Sequence, residues 1–433
     1  MISRRRFFGI TAAAAAAPAM LGAETQPPCL PLPPPIADLK PVKDRATPIT
    51  IEERALRQEK ARRLIRETKL GAILIGPGTS LRYFTGVDWW AGERFFAMVL
   101  PAAGNALYVC PAFEEDRARE LLAKAPGGAR ADVRAWQEDE DPYQLLAQGL
   151  KDRGLSTGTL GIEETLKYVF SDGVAKAAPQ VQIASATPVT AGCRRIKSEH
   201  ELALMRLANE STLKVFEAVY RSASAGMPQA ELERLIAAGH RQLGFPSDVD
   251  VMIGEYTAYP HGSITPQIIR EGVPVMMDGG CEVEGYQSDI TRTFVLGRPS
   301  GKMKQVFEIV HHAQSAALRA ARPGIEAQAV DAAAREVITQ AGDGPGYKFF
   351  THRVGHGIGM DEHEWPYLVR GNTTRLEANM TFSDEPGIYI HGEFGIRLED
   401  DMHITENGAE LFTPQSVSLE EPFGKASWPA SRL

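Results

Sequence analysis

Between Pro260 and Asp400 the chain places His261, Asp278, Asp289, His352, His356, His363, Glu385, Arg397 and Glu399 among glycines and apolar residues. A carboxylate taken out of water costs several kcal/mol unless a cation or hydrogen bonds compensate it. Any fold for this stretch must therefore gather these charges around something positive. A metal site does so with the fewest assumptions.

The two aspartates define the geometry. Residues 273–281 and 286–296 read as strands, and Glu284-Gly285 between them supplies a hairpin turn. With that turn as the tip, Asp278 faces Thr291 and Asp289 faces Gly280. Asp289 and Thr291 share a face because strand side chains alternate with period two. Asp278 and Asp289 are then diagonal neighbours on one face, roughly 7 to 8 Å apart at Cα. Aspartate is depleted in strands, so two on one hairpin face point to a cation between them.

Three histidines follow within twelve residues, His352, His356 and His363, with Gly355 and Gly357 flanking the middle one. A lone histidine is more often a satisfied core residue. Three together suit one ligand and two hydrogen-bond donors or proton carriers. Glu385 stands in Asp384-Glu385-Pro386-Gly387, and Arg397 and Glu399 stand two apart, as on one strand face, where the guanidinium orients carboxylates or offsets their charge. Asp384, Asp400 and Asp401 read as ordinary solvated or turn carboxylates. One histidine with four carboxylates suits harder divalent ions, Mn2+ first, with Zn2+, Co2+ or Fe2+ as alternatives. Several bridging-capable carboxylates point to two metal ions, an arrangement that activates water for attack on a carbonyl.

The remainder reads as a leader, a linker and a separate domain. Residues 1–23 have a charged start, Ser3-Arg4-Arg5-Arg6-Phe7-Phe8, a short alanine-rich run and small residues at a cleavage site. They resemble a twin-arginine export signal, which implies a periplasmic or secreted protein without a membrane anchor. Residues 24–48 are dense in proline and read as an extended linker. Beyond them, residues 51–69, 114–124 and 143–153 read as helices and residues 72–75, 95–100 and 106–110 as strands, an α/β domain ending near Ala191. Helices are expected again over residues 199–221, 229–243, 302–322 and 327–341. Trp89-Trp90 suits core, interface or a ligand wall. Cys29, Cys110, Cys193 and Cys281 form no CxxC pair and read as small buried side chains. A net charge of -8 gives no electrostatic reason to bind nucleic acid.

Asp278 and Asp289 eleven apart, His356 in Gly-His-Gly, Glu385 in Glu-Pro-Gly and Glu399 in Arg-x-Glu-Asp together resemble the dinuclear site of the M24 metallopeptidases. These are the pita-bread-fold enzymes, which include methionine aminopeptidases, Xaa-Pro aminopeptidases and prolidases. Tyr83-Phe84-Thr85-Gly86 resembles the creatinase-like domain of the proline-peptidase branch. The resemblance implies a two-domain α/β and α+β protein, with a creatinase-like domain over residues 49–190 and a pita-bread catalytic domain over residues 191–433. It implies metal ligation by Asp278, Asp289, His356, Glu385 and Glu399. Substrate binding and proton handling would fall to His261, His352, His363 and Glu385, with Arg397 in support. The activity implied is hydrolysis before proline by a metal-bridging hydroxide, in a homodimer or higher homo-oligomer that takes peptide substrates. Metal-dependent lysis or C–N hydrolysis of a small zwitterion, and non-catalytic peptide binding, are the alternatives in the same fold.

Overall fold

The structure, a computed structural model, describes residues 31–424. Residues 1–23, read above as an export signal, and Cys29 lie outside the described residues. Residues 31–48 are not an extended linker. Helix α1 (Pro34–Ala37) and a 3-10 turn at Lys43–Arg45 lie on the C-terminal domain. Ile36 and Leu39 are buried in its core, and Arg45 pairs with Glu210 at 3.1 Å. Proline density favours an extended chain only when nothing apolar between the prolines can be buried, and here Ile36 and Leu39 can.

The N-terminal domain begins with α2 (Ile51–Glu67), whose start is fixed by a capping box between Thr50 and Glu53. It continues through β1 (Ala72–Ile75), α3 (Thr79–Thr85), β2 (Ala97–Pro101), β3 (Leu107–Pro111), α4 (Glu115–Leu122) and β4 (Asp132–Trp136). Helix α5 (Pro142–Asp152), β5 (Gly158–Ile162), α6 (Tyr168–Ala177), β6 (Val181–Ser185) and α7 (Thr187–Arg194) complete it. Six strands form one sheet in the order β4-β3-β2-β1-β5-β6. Ile73 and Ile75 face α2, α3, α4 and α7, whereas Ala72 and Leu74 face α5 and α6. Both faces are covered, which is why β1 reads as an unbroken apolar run rather than an alternating one. Gly86 ends α3 with φ 77°, a left-handed conformation that glycine adopts without steric cost.

The C-terminal domain repeats one theme twice. Helices α8 (Glu199–Tyr220) and α9 (Gln229–Leu243) pack on β7 (Ser247–Ile253), β8 (Pro274–Val283) and β10 (Ile290–Val295), with the short β9 (Tyr286–Gln287) completing the hairpin. Helices α10 (Gly301–Ala320) and α11 (Ala327–Ile338) pack on a second sheet. That sheet runs β12-β11-β13-β16-β17, built from β11 (Gly355–Gly357), β12 (Glu364–Leu368), β13 (Thr381–Asp384), β16 (Asp400–Ile404) and β17 (Ala409–Leu411). A separate ribbon pairs β14 (Gly387–Ile390) with β15 (Phe394–Arg397). Among the described residues no helix is long and apolar enough to cross a membrane.

The hairpin has the anticipated register: Thr291 pairs with Asp278 and Ile290 with Gly279. Glu284 and Gly285 both have positive φ, 51° and 93°, as a type I′ turn requires. On β8, Val275, Met277, Cys281 and Val283 enter the core under α8 and α9. Asp278 is therefore left on the opposite face, which is open to a cavity, while Cys281 points away from it toward α8, its Sγ reaching the Ala208 carbonyl at 3.4 Å.

Candidate metal centre

The site lies where the two C-terminal sheets meet. Glu399 N donates to the Thr291 carbonyl at 3.3 Å, and Arg292 Nη1 donates to the Glu399 carbonyl at 2.8 Å, joining β10 to the link between β15 and β16. Asp278 comes from β8, and Asp289 from the two-residue break between β9 and β10. His356 comes from β11, Glu385 from the end of β13, and Glu399 from that link. All five line one cavity of about 310 Å³, together with His261, His352, His363 and Arg397. Every residue expected from the sequence is thus brought to one place. The strand expected to carry both Arg397 and Glu399 ends at Arg397, so the two reach the cavity from different backbone conformations.

The donor atoms are held without being satisfied. His356 is 1% exposed, and its Nδ1 lies 3.1 Å from its neighbour's carbonyl oxygen on Gly357. That carbonyl can only accept, so Nδ1 carries the proton and the Nε2 lone pair faces Glu385 Oε1 at 3.4 Å and Asp289 Oδ2 at 3.6 Å. This is the tautomer that a metal-ligating histidine needs. Glu399 is 2% exposed, and its Oε1 has no hydrogen-bond partner. Three triads bring one ligand atom from each member within 4.8 Å: Asp278, Asp289 and Glu399; His356, Glu385 and Glu399; and Asp289, His356 and His363. The last brings His363 to the same cluster, its ring centroid 3.8 Å from that of His356.

Electrostatics show the same lack of a counter-charge. Burial, and then the charge of Asp278, push Asp289 well above the usual carboxylate range; burial, and then Asp289 and Glu385, do the same to Glu399. Burial raises Glu385 to about 7. Burial and Arg397 bring His352 down to about 3, which keeps it neutral. The oxygen-rich set with one neutral imidazole fits hard or borderline divalent ions, which supply the missing positive charge.

Arg397 is paired with Asp278 rather than with Glu399. Its Nε donates to the Thr291 hydroxyl at 2.9 Å, and that hydroxyl lies within hydrogen-bond reach of both Asp278 and Glu399, 2.6 Å from Glu399 Oε2. Thr291 was placed opposite Asp278 by the hairpin register, but its role as the hub between two carboxylates and the guanidinium depends on the second sheet. Tyr389 was also missed. Its hydroxyl accepts from Arg397 Nη1 at 2.9 Å and lies 2.7 Å from His352 Nε2. Because His352 Nδ1 faces the Arg353 carbonyl at 2.8 Å, Nε2 is the acceptor of the Tyr389 proton.

Asp384, Asp400 and Asp401 are not solvated; each is 0% exposed. Asp401 Oδ2 accepts from Asp289 N and Asn209 Nδ2, both at 2.9 Å, fixing the backbone that presents Asp289. Asp400 pairs with Arg292 at 2.6 Å. Consecutive acids read as a turn when nothing opposite them is known, and here β13 and α8 supply the cover. Trp89 is buried and stacks on Phe96 at 4.2 Å, whereas Trp90 is exposed, and neither lines the cavity.

The description of metallopeptidase family M24 matches residues 203–406, and that of the creatinase/prolidase N-terminal domain matches residues 57–196. The probable dipeptidase PepE of Mycobacterium tuberculosis is 36% identical over 346 residues, covering 78% of this chain and 89% of that protein. The chain belongs to metallopeptidase family M24. The Xaa-Pro dipeptidase of Lactobacillus delbrueckii subsp. lactis is 32% identical over 370 residues, 84% of this chain and 98% of that protein. Among solved structures, dipeptidase PepE from Mycobacterium ulcerans superposes with a TM-score of 0.80 at 34% identity, over 86% of this chain and 99% of that one. Prolidase from Thermococcus sibiricus gives 0.75 at 31% identity, over 85% and 98%. As an M24 member the chain is a metal-dependent peptidase with a creatinase-like N-terminal domain and a pita-bread catalytic domain. Peptide hydrolysis therefore displaces the small-zwitterion and non-catalytic alternatives.

The N-terminal domain and the link that follows α7 hold the cavity wall from outside. Thr79 Oγ1 donates to Asp361 at 2.5 Å, and Arg194 bridges Asp361 and Glu364. Lys197 reaches Glu364 at 2.5 Å, and Arg82 pairs with Glu282 at the hairpin tip at 2.8 Å. The contacts to Asp361 and Glu364 clamp the segment that carries His363, and the Arg82–Glu282 pair holds the hairpin. None of them was foreseen, because each joins residues more than 150 positions apart or loops with no pattern of their own.

Proposed function

We propose that this M24 peptidase hydrolyses Xaa-Pro dipeptides, using two divalent ions, Mn2+ foremost, held by Asp278, Asp289, His356, Glu385 and Glu399. The observation that carries the reading is the convergence of those five side chains, with one free imidazole lone pair and one orphaned carboxylate oxygen, on a single cavity. Its volume is near the lower end for small-molecule pockets, a size suited to a short peptide. The Xaa-Pro preference and the dipeptide length are supported by similarity to the Xaa-Pro dipeptidases of Lactobacillus delbrueckii subsp. lactis and Pyrococcus horikoshii, which match most of this chain over nearly their full length.

When bound, the ions supply Lewis acidity and lower the pKa of water at neutral pH. The chain's own groups do the rest. Glu385, on the cavity wall beside His356, accepts the proton of the attacking water and passes it to the proline nitrogen as the C–N bond breaks. His261 and His363 line the cavity with exposed rings, in position to hydrogen-bond the peptide and steady the oxyanion. Tyr389 and His352 hold Arg397, which positions Asp278. Export by the twin-arginine route, read from residues 1–23, belongs to the same proposal.

Metal content and hydrolysis of Ala-Pro test the reading together. Asp289→Ala should lose both, since Asp289 belongs to two of the three triads. Metal-stripped or Asp289→Ala protein that cleaved Ala-Pro as fast as the metal-loaded wild type would refute it.

A further inference from the structure

The strand beside the metal-capable set carries acids that the reaction does not use. In the β7–β8 pairing Asp250 lies directly opposite Asp278, and Asp248 lies opposite Gly280. Directly paired residues share a face, so both aspartates point to the cavity side while Val251 and Ile253 enter the core. Both line the cavity, as does Glu362, next to His363. All three are exposed residues, which places them at the mouth rather than the floor. None of their side chains makes a hydrogen bond or an ion pair among the described residues.

Like charges directly opposite across two strands repel. Besides its burial, Glu362 is held above the ordinary glutamate range by the charges of Asp278, Asp248 and Asp250, so these acids lie within electrostatic reach of one another. Seven carboxylates line the cavity against two guanidiniums. Arg397 is committed to Asp278, and Arg353 lies over the Tyr367 ring at 4.1 Å with its Nη2 3.4 Å from His363 Nδ1. Neither pairs with a mouth acid, although the charges of His261 and Arg397 are felt at Asp250. That the cavity is built for a ligand is shown separately by the buried Glu399, whose Oε1 has no partner there.

We propose that Asp248, Asp250 and Glu362 form a subsite for a positively charged side chain, lysine or arginine, on the residue preceding the scissile bond. This rests on the Xaa-Pro peptidase reading and deepens it. Asp250 sits one strand away from Asp278, and Asp248 lies about 6.8 Å further along β7. A dipeptide's α-ammonium, one bond from its Cα, would not serve Asp248 as well if it lay at Asp250. A lysine ammonium on its flexible four-carbon stem can serve it. An uncharged side chain of the same length leaves the mouth acids without a counter-ion.

The test compares Lys-Pro with norleucine-Pro, which has the same length without the charge, on metal-loaded wild type and on Asp248→Asn/Asp250→Asn/Glu362→Gln. Affinities for lysinamide and norleucinamide are measured on the same proteins by calorimetry. In wild type kcat/KM should favour Lys-Pro by on the order of tenfold, mostly through KM and less at high salt, and the triple variant should bring the ratio to about one. Asp248→Asn/Glu362→Gln, which changes only mouth residues off the Asp278 pairing, should lower the ratio part-way. Equal rates in wild type with no preference for lysinamide would overturn the subsite while leaving the Xaa-Pro reading intact, as would a variant that keeps the preference. Failure to cleave either dipeptide, with lysinamide still preferred only by wild type, would overturn the Xaa-Pro reading and keep the subsite.

Discussion

Arg292→Met should unfold the catalytic domain at a much lower temperature, and Asp400→Asn added to it should restore part of the loss. Arg292 and Asp400 both have fully buried side chains and pair at 2.6 Å. Arg292 also donates to the carbonyls of Thr291, Glu399 and Pro414 at 3.1, 2.8 and 2.7 Å. Asp400 also accepts from Thr413 Oγ1 at 2.6 Å and Gln314 Nε2 at 3.0 Å. Methionine fills the volume but leaves the Asp400 charge buried with two neutral donors. Removing one partner of such a pair costs about 3–5 kcal/mol, which for a domain of this size corresponds to roughly 6–20 °C in Tm. In the double variant the charge is gone, and the remaining cost is that of the Glu399 and Pro414 carbonyls deprived of the guanidinium, since the Thr291 carbonyl still accepts from Glu399 N. The assay is thermal unfolding of the four proteins of the cycle, followed with Ala-Pro hydrolysis, because Arg292 ties the strand of Thr291 to the backbone of Glu399. A single-variant loss below about 1 kcal/mol, or a double variant no more stable than Arg292→Met, would refute the reasoning.

Three further outcomes are expected. Glu163 is 3% exposed, and burial lifts it from 4.5 to about 7. A carboxyl that binds its proton more tightly when folded loses stability as pH rises from about 4.5 to about 7, so Glu163→Gln should exceed wild type by up to about 3 kcal/mol at pH 8, with the gap closing toward pH 4.5 in chemical denaturation. Gly355→Ala would bring a Cβ within 2.1 Å of the Ser383 carbonyl oxygen, forcing β11 and His356 away from β13. It should cost about 1–3 kcal/mol in unfolding and lower metal content, since His356 N also donates to Ser383 Oγ at 3.0 Å. Chelation should lower Tm reversibly, because the carboxylate set loses its counter-charge; for metal held at a hundredfold above its dissociation constant the linkage is about 2.7 kcal/mol, read by calorimetry with and without added Mn2+.

The hairpin was legible because two local rules coincide there. Glu284-Gly285 fixes the tip, and period two then decides which side chains share a face with Asp278. Long helices were legible for the same kind of reason: Gln229–Leu243 has an apolar stripe and a glycine stop. Strands β5 and β6 were not. Gly158–Ile162 contains two glycines and Val181–Ser185 is largely exposed, so neither shows alternation; β5 is a strand because β1 offers it a parallel edge, and β6 because β5 in turn offers it one. Likewise β9 and β10 read as one strand; the break at Ser288-Asp289 appears only because Asp401 captures the Asp289 amide.

The same contrast holds within the site. Periodicity tells which residues share a face, but not what covers that face. Asp278, Asp289, His356, Glu385 and Glu399 stood out because residues so costly to bury need a common cation whatever surrounds them. Asp400 and Asp401 carry the same charge in a neighbouring position and did not stand out, since a pair of acids after Glu399 is equally at home in water. What separates the two groups is the compensating partner. For the five it is the divalent ion proposed above, a requirement visible in their composition and spacing. For Asp400 and Asp401 it is Arg292, Asn209 and an amide from strands and helices far away in sequence. Asp248 and Asp250 form a third case: a fixed position on β7, a face shared with Asp278, and no partner among the described residues. Being exposed, they need no partner to be stable; what singles them out is that they crowd one side of a substrate cavity with like charge, a position in which a cationic substrate group is the natural counter-ion.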